Sequence, residues 1–200
     1  MRFHAGLPPD EFEPDANWQA LREPAPSKAT RQALPLGLLL FCAVALTWTL
    51  LGASPLTALR VQAGWGEAVR VFWGLALLVV AHELIHACVH PHLGTSRHTV
   101  LGASVRPLLL YAAYQASLSR NRFIAILLAP FAVLTLLPLL AHAAGLLEQP
   151  LAQILATGSV VNAALSSLDV FGALLLVRQV PSTAQVKNKG WQTYWRHSVA

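Results

Sequence analysis

Residues 71–90 read VFWGLALLVVAHELIHACVH, and the reading of this stretch decides the fold. Its first half is an unbroken apolar run, and its second half carries His82, Glu83, His86 and His90 without an intervening turn signal. From Gly66 to His90, at about 1.5 Å per residue, a helix is long enough to cross a hydrocarbon core of roughly 30 Å. Three histidines and a glutamate therefore fall at the end of a membrane helix. An ionisable group there costs several kcal/mol unless something neutralises it.

Composition supports a membrane protein. The 200 residues are 55% hydrophobic and only 12% charged, where a soluble domain carries about 25% charged residues. The net charge of +5 comes from bases scattered singly between apolar runs, which excludes a nucleic-acid surface and fits orientation signals. The two cysteines, Cys42 and Cys88, both lie in apolar segments, so a disulfide framework is not expected and buried, inert thiols are.

Residues 1–33 are polar and punctuated by prolines. They read as a disordered cytoplasmic tail with one short helix around Trp18 to Arg22, not as a cleavable signal peptide. Four apolar segments follow, at about 34–53, 66–90, 122–147 and 151–177. The expected fold is an all-α membrane protein of about four transmembrane helices, with one domain over 34–178 and a cytoplasmic tail over 179–200.

Arg22, Lys28 and Arg31 precede the first span, Arg97, Arg106, Arg120 and Arg122 lie between the second and third, and Arg178, Lys187, Lys189 and Arg196 follow the fourth. The other connections hold only Arg60, with Arg70 just inside the second span. The positive-inside rule then puts both termini and the middle loop in the cytoplasm. The stretch between the second and third spans is nearly apolar enough to cross, but Arg106 and Pro107 sit at its centre. A membrane-dipping hairpin or re-entrant strand pair fits it better.

Between Leu34 and Arg178 there are four acids: Glu67, Glu83, Glu148 and Asp169. Glu67 and Glu148 fall at span ends, within reach of water. Glu83 and Asp169 do not, so each marks a functional site. In HELIH the i, i+4 spacing puts His82 and His86 on one helix face, where their imidazoles converge on one metal ion, and Glu83 can reach a water on that metal. Two core histidines bonded to neighbours are the plain alternative.

A third ligand is needed, and Asp169 lies at the right depth. Counted from span starts at Gly66 and Leu151, His82 is about 24 Å and Asp169 about 27 Å along parallel helices. A structural carboxylate paired with an arginine is the plain alternative for Asp169, although Arg178, nine residues on along the same helix, does not touch it. His90 continues the stripe, drifted by some 80°, as an alternative ligand or as a solvent-facing interfacial histidine. Asn162 and Ser166 share the face of Asp169, and could orient it, hold a substrate backbone or simply pack helices.

HELIH near the cytoplasmic end of one span, with NAALSSLDVFG (162–172) on a later one, resembles the intramembrane zinc metalloproteases of the site-2 protease type. The small four-span layout is similar to the bacterial zincin peptidase family, a domain otherwise of unknown function, over about 34–195. That resemblance implies Zn2+ on His82, His86 and Asp169, with Glu83 as general base. It also implies hydrolysis of a membrane protein or peptide substrate in the bilayer of a bacterial cytoplasmic membrane. Leu168–Asp169 matches the family's segment and Asn162 resembles its asparagine. The proline expected after Asn162 is missing, the Asn-to-Asp spacing is one residue shorter, and Val170 replaces a glycine. The segment from about Thr99 to Ser117 is expected to take a substrate as an added strand. An inactive zinc-containing scaffold or chaperone, and a metal or haem carrier, are the alternatives from other classes.

Overall fold

A computed structural model describes residues 1–55, 65–106 and 108–198. Arg60, Pro107 and the side chain of Glu67 lie outside the described residues. In chain order the elements are β1 (Arg2–Ala5), β2 (Gln19–Ala20), α1 (Pro26–Leu50), α2 (Trp65–Val89), β3 (Thr99–Val105), β4 (Leu108–Tyr114), β5 (Leu118–Ser119), α3 (Arg120–Phe131), α4 (Leu137–Ala143), α5 (Gln149–Leu165), α6 (Ser167–Gln179), β6 (Gln185–Lys189) and β7 (Gln192–Arg196). A single π-helical turn, Ala132–Leu136, carries α3 into α4.

Three helices are long and apolar enough to cross a membrane: Pro26–Leu50, Ala68–Val89 and Arg120–Ala143. A fourth crossing requires α5 and α6 together, and that pair is bent by 49°. The first and third expected spans therefore shift, and the fourth is broken at Ser166 rather than straight. The chain forms two compact units, one of residues 33–82 and 130–168, the other of residues 1–32, 83–129 and 169–200.

The first unit is helical. Val44 and Trp48 of α1 pack on Ala152, Ala156, Val160 and Ala163 of α5. Alanines at this spacing let the two backbones approach closely, the main source of helix association in an apolar medium. The same logic holds at Gly37, where a Cβ would stand 3.1 Å from that of Ser167. The π turn is fastened to α5 from both sides: Thr135 Oγ1 donates to the Ser159 carbonyl at 3.2 Å, and Ser159 Oγ to the Leu134 carbonyl at 3.1 Å. Between α2 and α5 runs an apolar groove of about 570 Å³, from Arg70 past Gly74 and Leu78 to Ala81 on one side and Val161 on the other.

The second unit corrects the all-α expectation, because it holds two sheets. One has the order β1-β3-β4 and the other β2-β7-β6-β5. The segment expected to be a disordered tail supplies β1, parallel to β3 with Arg2 opposite Val100, and β2, antiparallel to β7 with Gln19 opposite Trp195. A strand thus replaces the short helix expected around Trp18. The C-terminal tail supplies the β6–β7 hairpin. Under the second sheet Leu21 joins Leu176, Val180, Ala184 and Val186 in a core, which offsets the ordering entropy that the polar composition of the tail leaves uncovered. Cys42 and Cys88 are free, as expected, but exposed rather than buried: in a membrane helix an apolar face need not be an inward one.

The stretch between the second and third long helices is a strand pair, as its central Arg106 suggested. β3 and β4 pair antiparallel from Thr99↔Tyr114 to Val105↔Leu108. Because β3 also carries β1, both of its edges are taken, whereas β4 has one edge outside this sheet.

Candidate metal centre

His86 and Asp169 come from α2 and from the first turn of α6, where a carboxylate is favoured by the helix dipole. His86 Nε2 stands 3.6 Å from Asp169 Oδ1. Two ligands of one tetrahedral zinc, with bonds of about 2.0–2.2 Å, lie roughly 3.3 Å apart, so the pair is spaced as co-ligands are. His82 precedes His86 by one turn of the unbroken α2. His82, His86 and Asp169 each offer one ligand atom, and these atoms lie within 4.8 Å of one another.

The donor chemistry fits a metal because both imidazoles are fixed from behind. His86 Nδ1 meets the Ile126 carbonyl at 2.8 Å. A carbonyl only accepts, so Nδ1 carries the proton and the Nε2 lone pair is the one directed at Asp169. The Ile126 carbonyl is available because the residue four positions on is Pro130, which has no N–H to close the helical hydrogen bond. His82 Nδ1 meets Asn162 Oδ1 at 2.9 Å. The orientation of that amide is set by its other end, since Nδ2 donates to the Pro130 carbonyl and to Thr135 Oγ1, both at 3.0 Å. His82 is thus also protonated at Nδ1, with Nε2 left as the ligand atom. Outer partners of this kind hold tautomer and ring plane in metal sites generally.

Glu83, next to His82 on α2, also contacts the hairpin. Its Oε2 accepts the backbone N–H of Ala112 at 2.9 Å. That N–H belongs to β4 and is turned away from β3, as expected in an antiparallel ladder where N–H groups alternate between the two sides. The Glu83 carboxylate is therefore tied to the outer edge of the hairpin.

Asn162 and Ser166 are both buried, at 0% exposure. Asn162 orients His82 rather than Asp169, and Ser166 Oγ lies 3.4 Å from Asn162 Nδ2 while its residue forms the break between α5 and α6. His90 is 1% exposed, which corrects the solvent-facing position expected for it. Pro91 ends the helix, and the chain doubles back through a left-handed turn at His92, Leu93 and Gly94. Gly94 sits so close to the Ala87 carbonyl that a Cβ would stand 2.5 Å from it. His90 is covered by this turn and by Tyr114, whose ring centroid is 5.3 Å away. Burial, followed by the neighbouring His86 and Arg122, pushes its pKa down to about 4. His90 is not among the three grouped ligands.

Ile126, Pro130 and Thr135 were not anticipated from sequence, although a proline four residues after a carbonyl in an apolar helix is a legible sign of a hydrogen bond offered elsewhere. A polar-backed pair of histidines and a carboxylate at ligand spacing form a group able to hold a metal ion. The sequence profile of the family described as "Putative zincin peptidase" matches residues 75–185, which include every one of these residues. The chain belongs to that family. None of the curated proteins matches the chain, and no solved structure does.

Proposed function

We propose that the chain is a membrane-embedded zinc endopeptidase of the site-2 protease type, with His82, His86 and Asp169 as zinc ligands and Glu83 as general base. The observation that carries the reading is the pair of Nδ1 contacts, from His86 to the Ile126 carbonyl and from His82 to Asn162. Each commits one imidazole to presenting Nε2, which a merely structural histidine has no reason to do. When bound, zinc supplies Lewis-acid activation of a water and polarisation of the scissile carbonyl. Glu83 takes the proton of the attacking water and passes it to the leaving amine as the C–N bond breaks.

Substrate is held as an added strand. β3, including Val100 to Ala103, already has neighbours on both sides, so an incoming peptide pairs along β4, where the Ala112 N–H already contacts Glu83. An extended peptide there presents its carbonyl beside Glu83, whereas a helix hides its carbonyls in its own ladder. The apolar groove that ends at Ala81 and Val161, one residue short of His82 and Asn162, supports a membrane-borne substrate. Both termini face the cytoplasm in this reading, by the distribution of bases around the spans.

The test is zinc per chain, by elemental analysis of the maltoside-solubilised protein, in wild type, His86→Ala, Asp169→Ala and Glu83→Gln, with peptidase activity measured alongside. The expectation is about one zinc in wild type and Glu83→Gln, loss in the other two, and cleavage by wild type alone. Zinc without cleavage in wild type would favour the scaffold reading, and no zinc after reconstitution would refute the metal site.

A further inference from the structure

On the sheet-bearing unit, four separate segments line a half-open cavity of about 310 Å³ whose lining includes Arg2, Glu11, His98, Gln115 and Lys187. The volume is at the small end of ligand sites. Two features mark it as more than a gap between loops.

First, its cations are held in place by neutral groups. The Arg2 guanidinium donates to Gln115 Oε1, and the Lys187 ammonium lies over the Phe12 ring, 4.2 Å from its centroid. Neither partner cancels the charge, and neither base forms an ion pair among the described residues. Two residues further along β6 the opposite holds: Lys189 is paired with Glu13 at 2.6 Å. Two lysines of one strand, with acids available on the same N-terminal segment, are thus treated differently, and the one without an ion pair among the described residues lines the cavity.

Second, the cavity also contains a single carboxylate, Glu11. A simple anion would be repelled by it. A phosphate ester offsets that repulsion where its alcohol part carries a hydroxyl or ammonium that donates to Glu11. Arg2 and Lys187 then take the phosphate oxygens by charge-assisted hydrogen bonds, while His98 and Gln115 add further hydrogen-bonding groups.

We propose that this cavity binds the phosphate of a small phosphate ester whose alcohol bears a hydrogen-bond donor, either the headgroup of a phospholipid or a soluble ester of the same chemistry. The site is independent of the peptidase reading. It draws on the N-terminal strand β1, so ligand binding couples to the pairing of β1 with β3.

Native mass spectrometry of the full chain from maltoside micelles tests it, with glycerol 3-phosphate, short-chain phosphatidylglycerol and inorganic phosphate as probes. One saturable equivalent is expected, and Arg2→Gln and Lys187→Gln should each weaken it by about tenfold, the worth of one charge-assisted hydrogen bond. Lys189→Gln should bind as wild type does. Glu11→Gln should weaken glycerol 3-phosphate but strengthen inorganic phosphate, an opposition that mere loss of fold cannot produce. Binding of the soluble ester alone assigns a metabolite site, and binding of the lipid alone or of both assigns a headgroup site. Absence of saturable binding for every probe, or equal losses in Lys187→Gln and Lys189→Gln, overturns the proposal.

Discussion

Replacing Asn162 separates two properties that usually fall together, metal affinity and stability. Its side chain is fully buried and does four things: Oδ1 meets His82 Nδ1 at 2.9 Å, and Nδ2 reaches the Pro130 carbonyl, Thr135 Oγ1 and, at 3.4 Å, Ser166 Oγ. Asn162→Ala leaves the His82 N–H and the Pro130 carbonyl without these partners. Thr135 suffers less, since it keeps the Ser159 carbonyl. At about 1–3 kcal/mol for each orphaned group, two orphans cost roughly 2–6 kcal/mol. Loss of the group that holds a ligand histidine weakens metal binding by about 10- to 100-fold.

Asn162→Asp should behave otherwise. A carboxylate still accepts the His82 proton, so zinc affinity stays within a few-fold of wild type. It cannot donate to the Pro130 carbonyl or to Thr135, so the metal-free protein is still destabilised. Affinity is read by competition with a chromophoric chelator in micelles, and stability by thermal unfolding under excess chelator, which removes the contribution of bound metal. Wild-type zinc affinity in Asn162→Ala would refute the reasoning, because His82 would then be either not a ligand or not held by Asn162.

Other outcomes follow from the same contacts. Pro130→Ala returns an N–H that competes with His86 for the Ile126 carbonyl, so zinc affinity should fall by about tenfold without loss of stability in the chelated protein; unchanged affinity in the same competition titration would count against this. Ala112→Pro deletes the N–H that Glu83 accepts while sparing the β3–β4 ladder, since proline is tolerated on an outward-facing edge position; zinc content should stay at the wild-type level while peptide turnover drops, and unchanged turnover would separate β4 from the reaction. His90, with its pKa lowered to about 4, is neutral in the fold. Its contribution is whole above pH 6.5 and is lost as pH falls toward 4, by roughly 3 kcal/mol in all. Thermal unfolding from pH 7.5 to 4.5 should therefore decline less steeply in His90→Phe, and parallel declines would exclude His90 as the cause.

The parts of this site that could be read in the sequence are those set by short-range geometry. His82 and His86 are one turn apart on any helix, and an acid inside an apolar run, as at Asp169, stands out against its surroundings. The depth argument that joined them assumed a straight fourth span. The chain instead bends at Ser166, and Asp169 reaches His86 from the first turn of a new helix, beside it rather than level with a distant start point. Nothing in NAALSSLDVFG announces that bend, because it lacks proline and its glycine comes later. The sheets were illegible for a different reason. Arg2 pairs with Val100 and Gln19 with Trp195, contacts that close loops of about a hundred residues or more, so no local period records them. A polar, proline-punctuated segment looks disordered until its partner strands exist.

His90 shows the same limit at close range. The helix ends at Val89, so His90 does not continue the stripe expected of it, and its burial depends on a left-handed turn after the helix and on Tyr114 from β4. Pro130 marks the opposite case. Its consequence for Ile126 is purely local and was present in the sequence, yet it acquires meaning only when His86 is found four ångströms or less from that carbonyl, at 2.8 Å. A proline in a membrane helix is thus better read as the offer of a carbonyl than as a break, and here the group that takes the offer is a histidine whose remaining nitrogen faces a carboxylate.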